Sequence, residues 1–231
     1  MTALELQDVS FSYDGKHKIL DGINLRLPEG SVTAISGKSG CGKSTLAMIA
    51  CGVIPKAVLQ GKLTGRVLVF GEDISGKEIY ETADKISMVF QDPESQLFAP
   101  AVVDEVAFAP ENLCFDGETI AERIDAALST VGMQDFKDYP PNKLSGGQQQ
   151  LVALASILSL EPKIILLDEV AAQVDSQGVA LLQDAVRALK AQGKTVLIIE
   201  HGRVFEPLCD RKYEMREGRL YNAEGDSCEK R

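Results

Sequence analysis

The chain has 231 residues, 45% hydrophobic and 25% charged, with no tryptophan. Its 24 basic and 34 acidic residues leave a net charge of −10, which argues against a nucleic-acid binder driven by counterion release and against a polybasic membrane-surface binder. The longest nearly unbroken apolar stretches, Leu151–Leu160 and Leu46–Ile54, fall short of the ~20 residues that span a bilayer. Met1–Glu5 lacks the pattern of a signal peptide, so a cytosolic chain without direct membrane insertion is expected. The cysteines, Cys41, Cys51, Cys114, Cys209 and Cys228, are odd in number and scattered. Reduced thiols are therefore expected rather than a disulfide framework or a zinc site.

No internal repeat or low-complexity linker interrupts the chain. The first 35 or so residues read as strands. Leu4, Leu6, Val9, Phe11 and Tyr13 alternate, Asp14-Gly15 supplies a tight turn, and Ile19, Ile23, Leu25 and Leu27 continue to Pro28-Glu29-Gly30. Ser31–Ser36 is a short apolar strand running into the glycine-rich stretch Gly37–Gly42; Lys43–Cys51 is helical, ended by Gly52 and Pro55. Ile120, Ile124, Leu128 and Val131 mark one apolar helix face. Lys163–Leu167 and Thr195–Ile199 are buried strands ending in Asp168-Glu169 and Glu200-His201. Between them Ser176–Ala191 is a helix with Asp175 as N-cap and Leu182, Ala185, Val186 and Leu189 as core face. Two apolar strands with polar ends suggest a parallel sheet that binds its ligand at the carboxyl edge. Residues 222–231 read as a polar, frayed tail.

Three segments carry chemistry. Gly37-Lys38-Ser39-Gly40-Cys41-Gly42-Lys43-Ser44 matches G-x-x-x-x-G-K-[ST] between a strand and a helix. Its backbone N–H groups can ring phosphate oxygens, with Lys43 reaching the β- and γ-phosphates and the Ser44 hydroxyl on Mg²⁺. Ile164–Glu169 resembles a Walker B strand, in which Asp168 supports the metal through its water shell and Glu169 polarises the attacking water. Ser145-Gly146-Gly147-Gln148 opens a helix and presents a hydroxyl, free N–H groups and a dipole, a second anion site. One nucleotide rarely needs two N-terminal phosphate sites on one chain. Each site closing on a nucleotide held by another subunit accounts for both.

With these motifs the chain resembles an ATP-binding cassette (ABC) ATPase over nearly its whole length. The resemblance extends to Gln91 after the apolar Ile86–Phe90 stretch as a Q-loop glutamine, Asp175 as D-loop aspartate, His201 as switch histidine and Tyr13 as adenine-stacking aromatic. Tyr13 also reads as an ordinary strand aromatic. The resemblance implies an α/β fold: a P-loop NTPase core with a parallel sheet, an N-terminal antiparallel β subdomain and an inserted α-helical subdomain near residues 93–158, in one domain over 1–231. It implies a head-to-tail dimer with a second ABC ATPase subunit, the same chain or another. ATP would lie between Gly37–Thr45 of one protomer and Ser145–Gln148 of the other, with Gln91 adding to the Mg²⁺ shell and His201 contacting the γ-phosphate. His17, the other of two histidines, reads as a solvated loop residue.

Gln91–Phe98, Val103–Phe108, Ile54-Pro55, Gly61–Gly71 and Glu200-His201 resemble the ATPase component of energy-coupling-factor (ECF) vitamin and metal importers. This implies a peripheral subunit on the cytoplasmic face of the membrane, docked to an integral membrane transporter subunit near Gln91–Phe98. Leu97 and Phe98 suit such docking, or else pack the helical subdomain. Departures are Val170 where proline commonly follows the Walker B acids, Ala172-Gln173-Val174 ahead of Asp175, and Leu151 and Ser156 where arginines commonly follow the signature. Alternative readings are a soluble non-transport ABC ATPase and a non-catalytic cassette of a heterodimer. The first is opposed by the gap of 145 − 43 = 102 residues between phosphate loop and signature, which has no heptads.

Overall fold

The computed structural model describes residues 1–56 and 61–222. Strands β1 (Thr2–Ser12), β2 (Leu20–Pro28), β4 (Lys62–Val69) and β5 (Glu72–Asp73) form an antiparallel sheet in the order β2-β1-β4-β5. The second, six-stranded sheet runs β10 (Arg219–Asn222), β9 (Arg211–Arg216), β3 (Val32–Gly37), β8 (Thr195–Glu200), β7 (Ile164–Asp168) and β6 (Ile86–Val89). All its pairs are parallel except the β9–β10 hairpin. Helix α1 (Lys43–Ala50) follows β3, and a short turn α2 (Val53–Lys56) follows Gly52. Helices α3 (Val102–Asn112), α4 (Gly117–Val131) and α5 (Gly146–Leu158) lie between β6 and β7, and α6 (Ser176–Ala191) lies between β7 and β8.

Period-two patterning explains the layering. Along β7 and β8, Ile164, Leu166, Leu197 and Ile199 face the core shared with α1 and the antiparallel sheet. Their neighbours Ile165, Leu167, Val196 and Ile198 face a second core built with α3–α6. A strand apolar on both faces is what a sheet covered on both sides requires. The six-stranded sheet therefore separates two cores, and its carboxyl edge carries Gly37, Asp168 and Glu200 at the strand ends.

Three sequence readings shift. The buried residues of β1 change parity between Leu6 and Val9 because a bulge sits there, with Asp8 at φ 53° and its N–H donated to Asn24 Oδ1 at 3.0 Å. Asp14-Gly15 is not a tight two-residue turn: β1 ends at Ser12 and β2 starts at Leu20, and Asp14 Oδ1 accepts the Lys16 and His17 N–H groups at 2.8 Å each. Asn222 is no tail residue, since it pairs with Tyr213 as the last residue of β10; the remainder of the expected tail, like Cys228, lies outside the described residues.

Candidate functional site

The strand β3 delivers the phosphate loop to the start of α1. Gly37 (φ 155°) could carry no side chain, because a Cβ would run into the Met215 carbonyl of β9; at Gly42 (φ 107°) it would meet the Ile19 carbonyl at 2.9 Å. Lys38, Ser39 and Gly40 are exposed, while Cys41 and Ser44 are half-buried. The Lys43 side chain is only 3% exposed. Its Nζ donates to the carbonyls of Gly37 (3.0 Å) and Lys38 (3.2 Å) and pairs with Glu169 Oε1 at 3.3 Å. His201 Nε2 lies 2.9 Å from the same Oε1 and 3.4 Å from the ammonium, so the tautomer with its proton on Nε2 donates to Glu169. Three sequence-chosen residues, separated widely along the chain, thus meet at the carboxyl edge.

Ser44 Oγ donates to Asp168 Oδ1 at 3.1 Å. Burial pushes the Asp168 carboxyl above its ordinary range, opposed by the Ser44 hydrogen bond; the adjacent Glu169 charge adds to the rise, and Lys43 and His201 pull it down. Among the described residues no group of three or more His, Cys, Asp or Glu could hold a metal alone. A hydroxyl and a buried carboxylate side by side fit Mg²⁺, which keeps waters and is completed by substrate phosphates. Glu169 itself sits at φ 50°, in the left-handed region, with its N–H donated to Ile199 O at 2.8 Å.

Tyr13 is 41% exposed, stacks edge-on against Phe11 at 4.7 Å between centroids, and its hydroxyl lies 3.3 Å from Thr45 Oγ1 on the first turn of α1. Its ring is held beside the phosphate loop rather than in the sheet core. His17 is an exposed loop residue, 2.6 Å from Asp14 Oδ2. A cavity of about 870 Å³ borders Lys38–Cys41 and the β9–β10 hairpin, including Arg216 and Tyr221.

The signature segment is elsewhere. Ser145 caps α5: its Oγ accepts Gln148 N–H at 3.3 Å, and Gln148 Oε1 accepts Ser145 N–H at 3.0 Å, a reciprocal capping box. The Gln148 N–H expected to be free is therefore engaged, whereas the Ser145 oxygen only accepts, leaving its O–H and the exposed first turn at Gly146 to face outward. Gly147 is buried, its Cα face against Gly178 of α6. Asp175 Oδ1 accepts Gly178 N–H at 2.7 Å and caps α6 as the sequence predicts. Among the described residues no hydrogen bond or ion pair joins Ser145–Gln148 to Gly37–Thr45. Nor does a hydrogen bond join the exposed Gln91 side chain to the Lys43–Glu169–His201 cluster. The sequence reading missed Gln150, which is 2% exposed and donates its Nε2 to the Gln91 main-chain carbonyl at 2.8 Å.

Residues 20–172 match the family described as ABC transporter. The chain belongs to the ABC transporter family. It is 39% identical to the energy-coupling factor transporter ATP-binding protein EcfA of Carboxydothermus hydrogenoformans, over 86% of this chain and 72% of that protein. It is 38% identical to EcfA1 of Leuconostoc mesenteroides, over 94% of this chain and 78% of that one. A Methanosarcina mazei relative, 37% identical over 94% of this chain, is much longer: the chain spans 37% of its length. Among solved structures, cbiO1 of Clostridium perfringens, part of the ABC transporter complex cbiONQ, superposes with a TM-score of 0.85 at 34% identity, covering 95% of this chain and 86% of that one.

Two of the departures from the family pattern lie in the core. Val170 (2% exposed) and Leu151 (0%) both pack in the core with α3–α6. Ser156 turns its hydroxyl back to Ala153 O at 2.9 Å. None of the three touches the Lys43 cluster by hydrogen bond.

Proposed function

We propose that this chain is the ATP-hydrolysing subunit of an ECF-type importer of a vitamin, metal ion or other small solute. It would work as a nucleotide-sandwich dimer with a second ABC ATPase subunit on the cytoplasmic face of the membrane. The observation that carries the catalytic part is the convergence of Lys43 and His201 on one carboxylate oxygen, Glu169 Oε1. There Lys43 satisfies its charge with loop carbonyls and Glu169. A triphosphate entering the loop offers Lys43 better anionic partners, so the ammonium exchanges Glu169 for phosphoryl oxygens. Glu169 is then free to accept a proton from the attacking water, and His201 turns from Glu169 to the γ-phosphate. Ser44 and Asp168, with Gln91, would hold Mg²⁺, which neutralises charge developing on the phosphoryl oxygens. Gly37–Thr45 would bind the phosphates and Tyr13 would stack on the adenine. The signature residues Ser145–Gln148, which make no hydrogen bond or ion pair with this chain's own phosphate loop among the described residues, suit a nucleotide held by the partner, with Asp175 at the joint.

Docking to an integral membrane subunit is supported by a groove of about 360 Å³ lined by Leu97, Phe98, Pro100 and Pro140. Leu97 packs against the helical core while Phe98 is 65% exposed, so the two alternatives for this pair divide between them. No helix among the described residues is long and apolar enough to cross a membrane. The test of the catalytic reading is Glu169→Gln. Turnover should fall by about 10²–10⁴-fold while ATP binding persists and the ATPase pair becomes stably dimeric in ATP-Mg²⁺, seen by light scattering. Unchanged hydrolysis would remove Glu169 from the mechanism.

A further inference from the structure

We propose that Gln150 is a positioning residue that couples the two nucleotide sites of the dimer, by tying the main chain of the Gln91 turn to the signature helix. The proposal rests on the nucleotide-sandwich reading above. The turn at the end of β6 is pinned twice. Phe90 N–H donates to Gln96 Oε1 at 3.2 Å within the loop, and Gln150 Nε2 donates to Gln91 O at 2.8 Å from α5. Gln150 lies in the second turn of α5, five residues after Ser145, whose capping box locks the helix start. Any displacement of the Gln91 carbonyl is therefore carried to the exposed Ser145-Gly146 face through little more than one turn of helix. In the sandwich, Gln91 faces the nucleotide of its own chain and Ser145 that of the partner. That bond is the one side-chain hydrogen bond between the Gln91 turn and α5 among the described residues, so it links the segments that face the two nucleotides.

Packing does not account for the residue. Gln150 is 2% exposed, and its Oε1 has no hydrogen-bond partner among the described residues. An apolar side chain removes that unpaired acceptor but also the hydrogen bond to Gln91 O, two effects of similar size and opposite sign, so stability alone does not call for the amide. What the amide adds is direction: one donor aimed at one carbonyl.

The test compares wild type, Gln150→Leu and Gln150→Met in the ATPase pair as isolated from membranes, following the ATP dependence of hydrolysis and the melting temperature. The expected result is a Hill coefficient falling from about 2 to about 1 and turnover lowered about tenfold, with the melting temperature unchanged or raised. Retention of the wild-type Hill coefficient overturns the proposal and leaves the sandwich reading intact. A matched loss of melting temperature and cooperativity in both variants makes Gln150 a packing residue and also overturns it. Failure of Glu169→Gln to dimerise in ATP-Mg²⁺ removes the sandwich, and the proposal with it.

Discussion

Glu200 shows how a residue beside the site can be chosen for reasons the motif does not reveal. It ends β8 next to His201 but is 6% exposed and accepts Phe205 N–H at 3.3 Å. Burial pushes its carboxyl above the ordinary range, opposed by hydrogen bonds from the Phe205 and Val204 amides; Glu206 adds to the rise and Lys212 reduces it. The fold therefore favours the neutral form. The unfolded chain releases this proton near its ordinary value, about pH 4.3, while the folded chain keeps it to higher pH. Stability is lost as pH rises through that window and stays lost above it. Glutamine keeps the acceptor and never ionises, so Glu200→Gln should melt above wild type at about pH 8, with the gap closing towards about pH 4. A gap that does not change with pH would show that ionisation of Glu200 is not what destabilises the fold. At this scale Lys43, Glu169 and His201 were legible in the sequence because each ends a strand or opens a helix within a motif. Gln150 was not. Its partner is 59 residues away, and nothing local marks the last of three consecutive glutamines as the one aimed at a distant carbonyl.

Elements were legible where periodicity and caps agreed. Helix α6 runs Ser176–Ala191 from an Asp175 cap, with Leu182, Ala185, Val186 and Leu189 buried, as the pattern requires. The β1 bulge and the Tyr13–Ile19 loop were not, because both depend on partners across the sheet or on one aspartate collecting amides. Gly147 illustrates the same limit inside the signature. Read as a phosphate contact, it is also the point where α5 and α6 touch backbone to backbone: an added Cβ would lie 2.7 Å from Gly178 Cα and 3.1 Å from Val174 Cγ1. Gly147→Ala gains up to about 1 kcal/mol of helix propensity. It loses about 1–3 kcal/mol to overpacking, because the obstructing atom is backbone and cannot swing aside. The net expectation is destabilisation of about 1–2 kcal/mol, read from the denaturant midpoint at constant m-value. A neutral or stabilising outcome would mean that the α5–α6 crossing opens freely.

At the scale of the whole molecule the two-core, three-layer arrangement follows from strands apolar on both faces, and it sets the site on one sheet edge and α3–α6 on one side of the sheet. In the proposed importer the chain is held at the bilayer by contact with an integral membrane subunit, which places the demand on its protein surface rather than on a spanning helix. The helical side offers one such contact surface: Phe98 and Phe108, 65% and 47% exposed, stack edge to face at 4.6 Å between centroids. Beside them the Phe98 and Ala99 amides are anchored on the buried Glu105 carboxylate at 2.8 Å each. An aromatic held out of the core by a rigid backbone loses little entropy on docking and can act as an anchor. Truncating such an anchor typically costs about 2 kcal/mol, or roughly 30-fold in affinity. Phe98→Ala should therefore strip the chain from its membrane subunit in detergent pull-downs at concentrations where wild type remains bound. Its melting temperature should change little, because most of the ring is already in water. Full retention of the membrane subunit by Phe98→Ala would move the docking surface away from this groove.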